Sequence, residues 1–415
     1  MKRRSIVALC LVAVLAAAVA AATSGATKKA TASSITVWLQ TDAQNGWPDL
    51  VAAANKQFQA DHPGVSVNVQ YQDWTTHLQK FDATLAAGTT PDVIEMGNTE
   101  MTKYMAAGAF QDLTSLKGTF DNSANWLKGA AAWGIYNGKL YGVPYYAGSR
   151  VITYRTDLFK KAGIKKLPNS LAALTADARK LIAKNPKKGF SGLYIAGEDW
   201  YSALGFIYDY GGSIAVQVSG KWKGTLESPK SMAGLAAYKS FFLAASRAGK
   251  TAIEASPNPN PYDVYAQGQA ASVIGPAWYT CCTGKYKSVT GQFVMPGHVP
   301  GTVMPGFLGG SDLAVPIGAN KALAADWIKD FTSTSSERGL EQKGNIPNAT
   351  NLLGNSVNER AAARSWFVPQ AKHWVDVENG NILRNMLGQI LTGNLTIKQA
   401  TVSADDNIAS VLNQS

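Results

Sequence analysis

The chain has 415 residues and a formal net charge of +11, and 46% of its residues are hydrophobic while only 16% are charged. This length is sufficient for two domains with cores of their own. Lysines and arginines are scattered rather than concentrated in one stripe, which argues against nucleic-acid binding. The 11 Trp and 16 Tyr supply rings for the core and for stacking on a flat apolar ligand.

The N-terminus has the pattern of a secretory signal peptide. Basic residues at positions 2–4 precede an apolar run over 6–22, and small residues follow it. This order predicts a signal peptide over 1–24 and a linker over 25–34, so that the mature protein is exported. The alternative is an uncleaved membrane anchor, because the apolar run reaches the lower limit of length for a bilayer span.

Two of the three cysteines, Cys281 and Cys282, are neighbours, and the third lies inside the apolar run. In an oxidising compartment the pair can form a disulfide with each other or with another molecule. Consecutive Cα atoms are about 3.8 Å apart, which is short for a disulfide. The sequence therefore leaves two alternatives open, a vicinal disulfide and two free thiols.

Strand and helix patterns alternate at the start of the mature chain. The predicted strands cover 35–39, 65–69 and 91–96, and the predicted helices cover 47–60, a segment containing Leu78 to Leu85, and a segment ending at Ala107. Apolar residues recur with a helical period in the helices and alternate in the second strand. This order predicts a parallel α/β sheet.

The remainder of the chain is richer in helix patterns. After a Gly/Tyr-rich stretch, further strands are expected at 151–154, 271–274 and 313–316. The clearest helix patterns cover 200–210 and 231–248, and the last hundred residues are mainly helical. Strands therefore return after a long helical segment, which is consistent with a second α/β unit.

Four segments together resemble the extracellular solute-binding proteins of sugar ABC importers. They are YQDWTTHLQKFDATLAAGTTPDVIEMGN from Tyr71, YGVPYYAGSRVITYRTDLFKKAGI from Tyr141, PYDVYAQGQAASVIGPAW from Pro261 and LGGSDLAVP from Leu308. The chain looks like the maltose- and oligosaccharide-binding branch found in high-GC Gram-positive bacteria. The resemblance extends over essentially the whole mature chain, and it is the order and spacing of the motifs that makes it specific.

The resemblance implies a type II periplasmic-binding-protein-like α/β fold with the ligand in a cleft between two lobes. Lobe one would hold 35–145 and 271–315, and lobe two would hold 146–270 and 316–415. The family's role would be to capture a sugar, expected here to be an oligosaccharide, and to deliver it to the permease subunits of an ABC transporter. We expect a monomer without a cofactor or a metal. Many relatives carry a lipid-attached cysteine where this chain has Thr23, so its attachment to the cell surface is left open.

A saccharide presents apolar C–H faces, which aromatic rings cover, and hydroxyls, which carboxylates, amides and Arg satisfy. Residues of these types follow or flank the predicted strands, where ligands of open α/β sheets bind. The candidate ligand-binding residues are Asp42, Gln44, Trp47, Trp74, Glu95, Asn98, Tyr145, Tyr146, Arg150, Trp200, Trp278, Tyr279, Gly310, Ser311 and Asp312. A Cys281–Cys282 disulfide would form a flat apolar floor beside Trp278.

Several candidates have a structural alternative. Asp42 and Asn98 could cap the helices that follow them. Trp74 could belong to the core between helix and sheet. Arg150 could form an ion pair between the lobes. Trp278 is the strongest single candidate, because a Trp after a Gly-Pro break is poorly placed for a sheet core.

The sequence gives little support for an enzyme. The four histidines show no metal-binding spacing, and no G-x-S-x-G nucleophile motif or phosphate-binding glycine loop occurs. A secreted glycosidase would need two carboxylates on either side of a sugar, and Glu95 and Asp312 are the pair that could be nominated. A binding protein for another solute is a further alternative. Polyamines, iron and anions would require, respectively, several carboxylates, a tyrosine cluster or a surplus of Arg.

Overall fold

A computed structural model describes residues 33–185, 187–249, 253, 260–277 and 283–414. The predicted signal peptide and most of the predicted linker lie outside these ranges. So do the candidate residues Trp278 and Tyr279 and the cysteine pair Cys281 and Cys282. Within the described ranges, every helix is too short or too polar to span a bilayer.

The described strands are β1 Ser33–Gln40, β2 Val65–Gln72, β3 Val93–Gly97, β4 Ile135–Tyr136, β5 Lys139–Leu140, β6 Gly142–Gly148, β7 Arg150–Arg155, β8 Ala215–Val218, β9 Lys221–Gly224, β10 Ser272–Pro276, β11 Thr290–Phe293, β12 Gly306–Phe307, β13 Gly309–Ala314 and β14 Ser365–Trp366. The described α-helices are α1 Thr41–Gly46, α2 Pro48–Asp61, α3 His77–Ala87, α4 Met101–Ala106, α5 Lys128–Trp133, α6 Thr156–Lys161, α7 Leu171–Ala183, α8 Trp200–Asp209, α9 Pro229–Ala245, α10 Pro261–Ala266, α11 Lys321–Phe331, α12 Thr334–Gln342, α13 Val357–Ala362, α14 Trp374–Asn379, α15 Ile382–Thr392 and α16 Ile397–Leu412. Short 3-10 helices cover Thr114–Thr119, Gly284–Val289 and Thr350–Leu352.

The larger sheet has five strands in the order β2-β1-β3-β13-β6. β1 is parallel to both β2 and β3, as the strand and helix pattern predicts, while β13 runs antiparallel to β3 and β6. The register places Ser311 of β13 opposite both Gly97 of β3 and Tyr146 of β6. The ends of β1 to β3 and the start of β13 therefore meet at one edge of the sheet.

The two faces of this sheet are covered by different helices. Val37 and Leu39 of β1 belong to a buried cluster that includes Phe58 of α2 and Trp327 of α11. Trp38 points to the opposite face, where it packs in a cluster with Phe81, Met96 and Tyr104 from α3, β3 and α4. Alternate residues of one strand face opposite sides of the sheet, so a nearly continuous apolar strand supplies both layers.

A smaller antiparallel sheet has the order β10-β7-β11. Ile152 of β7 lies in the largest buried cluster of the described chain, with residues of α8, α9, α14, α15 and α16. This cluster is rich in rings, including Trp200, Phe206, Tyr238 and Trp374. A mainly helical second half is thus organised around a small sheet.

The strand pairing corrects the expected division into lobes at three places. β10 pairs with β7 in the smaller sheet, so the segment from residue 271 does not join lobe one. β6 continues the larger sheet to Gly148, past the expected boundary at 145. Helices α11 and α12, expected in lobe two, contribute Trp327 and Leu340 to the core of the larger sheet. Sequence alone does not indicate which sheet β10 joins, because its pairing partner β7 is distant in sequence.

Candidate functional site

A cleft of about 970 Å³ lies between the two sheets. One side is formed by the edge of the larger sheet and the loops after its strands. The other side is formed by β7, the start of α8, and α14 and α15. The lining side chains used below are Asp42, Trp74, Asn98, Thr99, Glu100, Tyr146, Arg150, Tyr201, Ser311, Glu378 and Arg384.

The segments after β1 and β2 bring Asp42 and Trp74 together. The indole Nε1 of Trp74 donates a hydrogen bond of 2.5 Å to the Asp42 carboxylate. Burial raises the pKa of Asp42, although the hydrogen bond from Trp74 acts in the opposite direction. The Trp74 ring is 38% exposed, so it is not a core residue. The pair offers a ligand an apolar ring beside an acceptor for hydroxyl groups.

Behind Trp74, His77 joins the loops that follow β2 and β3. His77 is fully buried; its Nδ1 is 3.1 Å from the Trp74 carbonyl oxygen, and its Nε2 is 3.0 Å from Oε2 of Glu100. The same Glu100 oxygen accepts the backbone N–H of Gly97 at 2.9 Å. Burial lowers the pKa of His77, but the hydrogen bonds and charge of Glu100 outweigh it and raise the pKa above its usual value. The contact between His77 and Glu100 therefore supports this wall of the site.

Arg150 and Tyr201 form the opposite wall. The Arg150 guanidinium lies 4.6 Å from the centroid of the Tyr201 ring and 3.4 Å from the Asp199 carboxylate. Asp199 caps α8 by accepting the backbone N–H of Ser202. The predicted ion pair of Arg150 thus forms within the half of the smaller sheet rather than between the halves. A ring and a cation are presented together here.

The floor of the cleft is the edge formed by β13 and the loop after β3. Asn98 donates its backbone N–H to the Gly310 carbonyl and its Nδ2 to the Leu308 carbonyl, both at 3.0 Å. A Cβ on Gly310 would lie 2.2 Å from the Tyr146 carbonyl oxygen, so only glycine allows the two strands to approach this closely. Neither Asp42 nor Asn98 caps a helix, because the residues preceding α1 and α4 are Gln40 and Glu100.

Thr99 and Glu378 contact each other across the cleft. Thr99, after β3, donates its hydroxyl to Oε2 of Glu378 on α14 at 3.3 Å, and Trp374 Nε1 donates to Oε1 of the same carboxylate at 2.5 Å. Burial raises the pKa of Glu378 to about 8, and the nearby Glu100 charge adds to this increase. Glu378 therefore connects the larger-sheet side to the helical side at one end of the cleft.

The structure brings seven of the expected residues to the cleft and buries five others. Asp42, Trp74, Asn98, Tyr146, Arg150, Gly310 and Ser311 line it. The buried candidates are Trp47, Glu95, Tyr145, Trp200 and Asp312, each at most 4% exposed. Gln44 is exposed on α1 but does not line the cleft. These six residues do not line this cleft.

The corrections have local causes. Pro48 begins α2 immediately after Trp47, and the indole turns into the core, where its Nε1 donates to the Tyr145 hydroxyl. In β6, Tyr145 and Tyr146 alternate, so only Tyr146 faces the cleft. In α8, Trp200 packs inward while Tyr201 reaches the cleft. The two rings are stacked, with their centroids 3.8 Å apart.

The buried acids form part of the support beneath the floor. Glu95 accepts the backbone N–H of Gln40 at 2.9 Å, and burial raises its pKa to about 7. Burial also raises the pKa of Asp312 to about 8. Both groups therefore hold a proton more readily than an exposed carboxyl, and neither reaches the cleft.

Sequence reasoning missed Tyr201, Glu100, Glu378 and Arg384 as lining residues. Tyr201 adjoins a nominated Trp, and helical periodicity of 3.6 residues could have separated the two. Glu100 follows the nominated loop directly. Glu378 and Arg384 lie on C-terminal helices without a motif, and only their position in the fold reveals them.

Residues 39–336 of the chain match the family described as "bacterial extracellular solute-binding protein". The diacetylchitobiose binding protein DasA of Streptomyces coelicolor is 30% identical over 374 residues, covering 87% of this chain and 85% of that protein. The lactose-binding protein of Rhizobium radiobacter is 25% identical over 315 residues, covering 72% and 70%.

Solved structures show the same fold. The GacH receptor of Streptomyces glaucescens, solved unliganded and with acarbose, has a TM-score of 0.78 at 20% identity, covering 92% of this chain and 99% of that one. Maltose-bound T. maritima MalE3 has a TM-score of 0.76 at 19% identity, covering 92% and 100%. The predicted two-lobe type II α/β fold is therefore confirmed, and the chain belongs to the bacterial extracellular solute-binding protein family.

Proposed function

We propose that this protein is an extracellular receptor that binds an oligosaccharide in the cleft and delivers it to the permease of an ABC importer. The observation that carries the proposal is the pairing of a ring with a charged group on each wall. Trp74 stands beside Asp42 on one side, and Tyr201 stands beside Arg150 on the other. Rings on two walls can cover both C–H faces of a sugar, while the charged groups bind its hydroxyls.

The size of the cleft favours more than one sugar ring. Its volume of about 970 Å³ is at the upper end of the range for small-molecule sites. A disaccharide of chito- or cello-type is our candidate ligand. The names of two relatives, a diacetylchitobiose binding protein and a lactose-binding protein, support a disaccharide.

The glycosidase alternative loses its candidate residues. Glu95 and Asp312 are both buried beneath the floor and do not line the cleft. A carboxylate that acts on a glycosidic bond must reach the scissile oxygen or the anomeric carbon. Glu95 and Asp312 therefore cannot serve as the acid and nucleophile of a glycosidase in this cleft. We expect a bound oligosaccharide to be released intact.

The remaining parts of the proposal concern the cell. The exported protein would act as a monomer at the cell surface. If its N-terminal segment were not cleaved, that segment would attach it to the membrane. The unliganded protein would be open, and the sugar would draw the two walls together. The closed form would then dock on the membrane permease.

Calorimetric titration of the purified mature protein with mono- and oligosaccharides tests the proposal. We expect micromolar binding of one saccharide class and recovery of the same saccharide afterwards. Recovery of a cleaved saccharide would favour the glycosidase, and a panel without binding would overturn the sugar assignment in favour of another solute. The Trp74→Ala variant localises the site, since the same saccharide should then bind at least ten times more weakly.

A further inference from the structure

His77 makes two contacts that a neutral imidazole cannot satisfy together while Glu100 is ionised. Its Nδ1 lies 3.1 Å from the Trp74 carbonyl oxygen, and its Nε2 lies 3.0 Å from Oε2 of Glu100. We propose that His77 is a positioning residue that holds Trp74 against the ligand while the His77–Glu100 pair shares one additional proton, so that sugar affinity falls as this proton is lost. The proposal rests on the sugar-binding function inferred above.

The number of donors and acceptors at the two His77 contacts indicates that this additional proton is present. A carbonyl oxygen accepts only, so Nδ1 must carry a hydrogen for the Trp74 contact to be favourable. Oε2 of Glu100 already accepts the N–H of Gly97 at 2.9 Å. The Nε2–Oε2 contact then needs a second proton, carried by the imidazole or by the carboxyl group. Without it, lone pairs face each other at one of the two contacts in a buried site.

Trp74 depends on this support because it occupies a short turn between β2 and α3. The Asp73 side chain accepts the backbone N–H of Thr75, and the backbone N–H of His77 bonds to the Asp73 carbonyl. The Trp74 and His77 rings meet edge to face, with centroids 5.2 Å apart. The Trp74 backbone and one edge of its ring are thus held by His77, and its Nε1 is held by Asp42.

The surrounding charges favour the protonated pair. Glu100 and Glu95 both raise the pKa of His77, and Asp73 interacts with it from the start of the turn. The neighbouring lysines are otherwise engaged, since Lys80 on α3 donates to Gln72 and Lys103 on α4 to Asp82. The charge of Lys80 also acts on Asp73, so Glu100, which contacts the imidazole directly, is the main acidic partner of His77.

The first test needs no ligand. Nitrogen NMR of the histidine side chains reports whether His77 carries one or two ring protons, and the indole N–H resonance of Trp74 reports its environment. We expect His77 to be doubly protonated at neutral pH and the Trp74 resonance to shift with the same midpoint as His77. In His77→Gln the Trp74 shift should be lost. A neutral His77 hydrogen-bonded to an un-ionised Glu100 would also satisfy the proposal, and carboxyl carbon NMR identifies it.

The second test measures sugar affinity from about pH 6 to about pH 9, across the range in which a raised histidine pKa is passed. Wild type should lose about tenfold in affinity. His77→Gln should bind more weakly and lose less over the same range, because the remaining change belongs to Glu378, which also lines the cleft and whose pKa burial raises to about 8. His62→Gln is the matched control, because His62 pairs with Asp326 away from the cleft.

Two results would overturn the inference. One is an unprotonated pair at neutral pH, and the other is an identical pH profile of affinity in wild type and His77→Gln. If His77→Gln does not fold, the wild-type protein still tests the inference. Different titration midpoints for the His77 and Trp74 resonances would show that Trp74 does not respond to the His77 proton. If no saccharide binds, the proposed function is wrong. The NMR measurement would still show whether the His77–Glu100 pair carries the additional proton.

Discussion

The Arg150 guanidinium lies over the Tyr201 ring, 4.6 Å from its centroid, and its charge faces the Asp199 carboxylate at 3.4 Å. The ring and the carboxylate together fix a planar cation at the wall of the cleft. Within the described residues, Nε of Arg150 is buried and has no hydrogen-bond partner. The side chain as a whole is 21% exposed and lines the cleft, so its guanidinium is preorganised to donate to a sugar hydroxyl.

Arg150→Lys should weaken saccharide binding by roughly ten- to a hundredfold, about 1.4–2.8 kcal/mol. A lysine keeps the charge but loses the planar stacking on Tyr201 and the forked donors. Calorimetry measures the loss, and thermal unfolding shows whether the fold is preserved. Arg338→Lys, at an exposed position on α12, is the control and should bind as wild type does. Equal affinity of Arg150→Lys and wild type would exclude the stacked guanidinium from binding.

Trp74 and Trp47 should respond to truncation in opposite ways. Trp74→Ala removes a partly exposed ring from the cleft, so we expect a loss of affinity with little change in the free energy of unfolding. Trp47→Ala removes a ring that is 2% exposed, and we expect a loss of about 3–5 kcal/mol in stability. Urea unfolding and calorimetric titration of both variants check this. A Trp47→Ala protein that is stable yet cannot bind would contradict the assignment of Trp47 to the core.

Glu95→Gln should change how stability depends on pH. The native state binds the Glu95 proton more tightly than the unfolded chain, because the native pKa is raised to about 7 from an unfolded value of about 4.3. Wild-type stability therefore decreases as the pH rises between these two values and stays lower above them. The amide of the variant does not titrate.

Relative to wild type, Glu95→Gln should accordingly gain on the order of 3 kcal/mol between about pH 4 and about pH 8. Denaturant unfolding at several pH values measures the difference in free energy of unfolding between the variant and wild type. The other titrating groups are the same in both proteins, so their contributions cancel. Glu341→Gln, at a half-buried position on α12, serves as the control. A difference between Glu95→Gln and wild type that is constant with pH would show that Glu95 is ionised in the native state.

Gly310→Ala should damage both the sheet and the site. The new Cβ would meet the Tyr146 carbonyl oxygen at 2.2 Å, and backbone cannot yield as a flexible side chain can. Separation of β13 from β6 should cost about 1–3 kcal/mol in stability and weaken sugar binding by displacing Asn98 and Ser311. Gly118→Ala, whose Cβ would meet nothing within 4 Å, is the control. Wild-type stability in Gly310→Ala would contradict the close strand approach.

The first half of the larger sheet could be predicted from sequence because its signals are local. Strand and helix periods up to Ala107 correspond to β1 to β3 and α2 to α4, with differences of a few residues at their ends. The loops after those strands also supplied Asp42, Trp74 and Asn98, since the ends of parallel strands converge at one edge.

Long-range pairing and side-chain direction were beyond sequence reasoning. Nothing local distinguishes β10, which joins the smaller sheet, from β13, which enters the larger one. Adjacent aromatic residues are equally ambiguous, because the strand register decides that Tyr146 rather than Tyr145 faces the cleft. Glu378 reaches Thr99 only because α14 is packed against the larger-sheet side, and that packing depends on the whole C-terminal half.

The position of β13 has a consequence for the order in which the protein can fold. The strand lies between β3 and β6, yet the entire smaller sheet is synthesised before it. Until residues 309–314 have left the ribosome, β3 and β6 have no strand between them, and the helices α11 and α12 that cover one face do not exist. An emerging chain therefore has no completed core in its N-terminal third. For a family described as extracellular, late completion of the core would suit a chain that must cross a membrane before it folds.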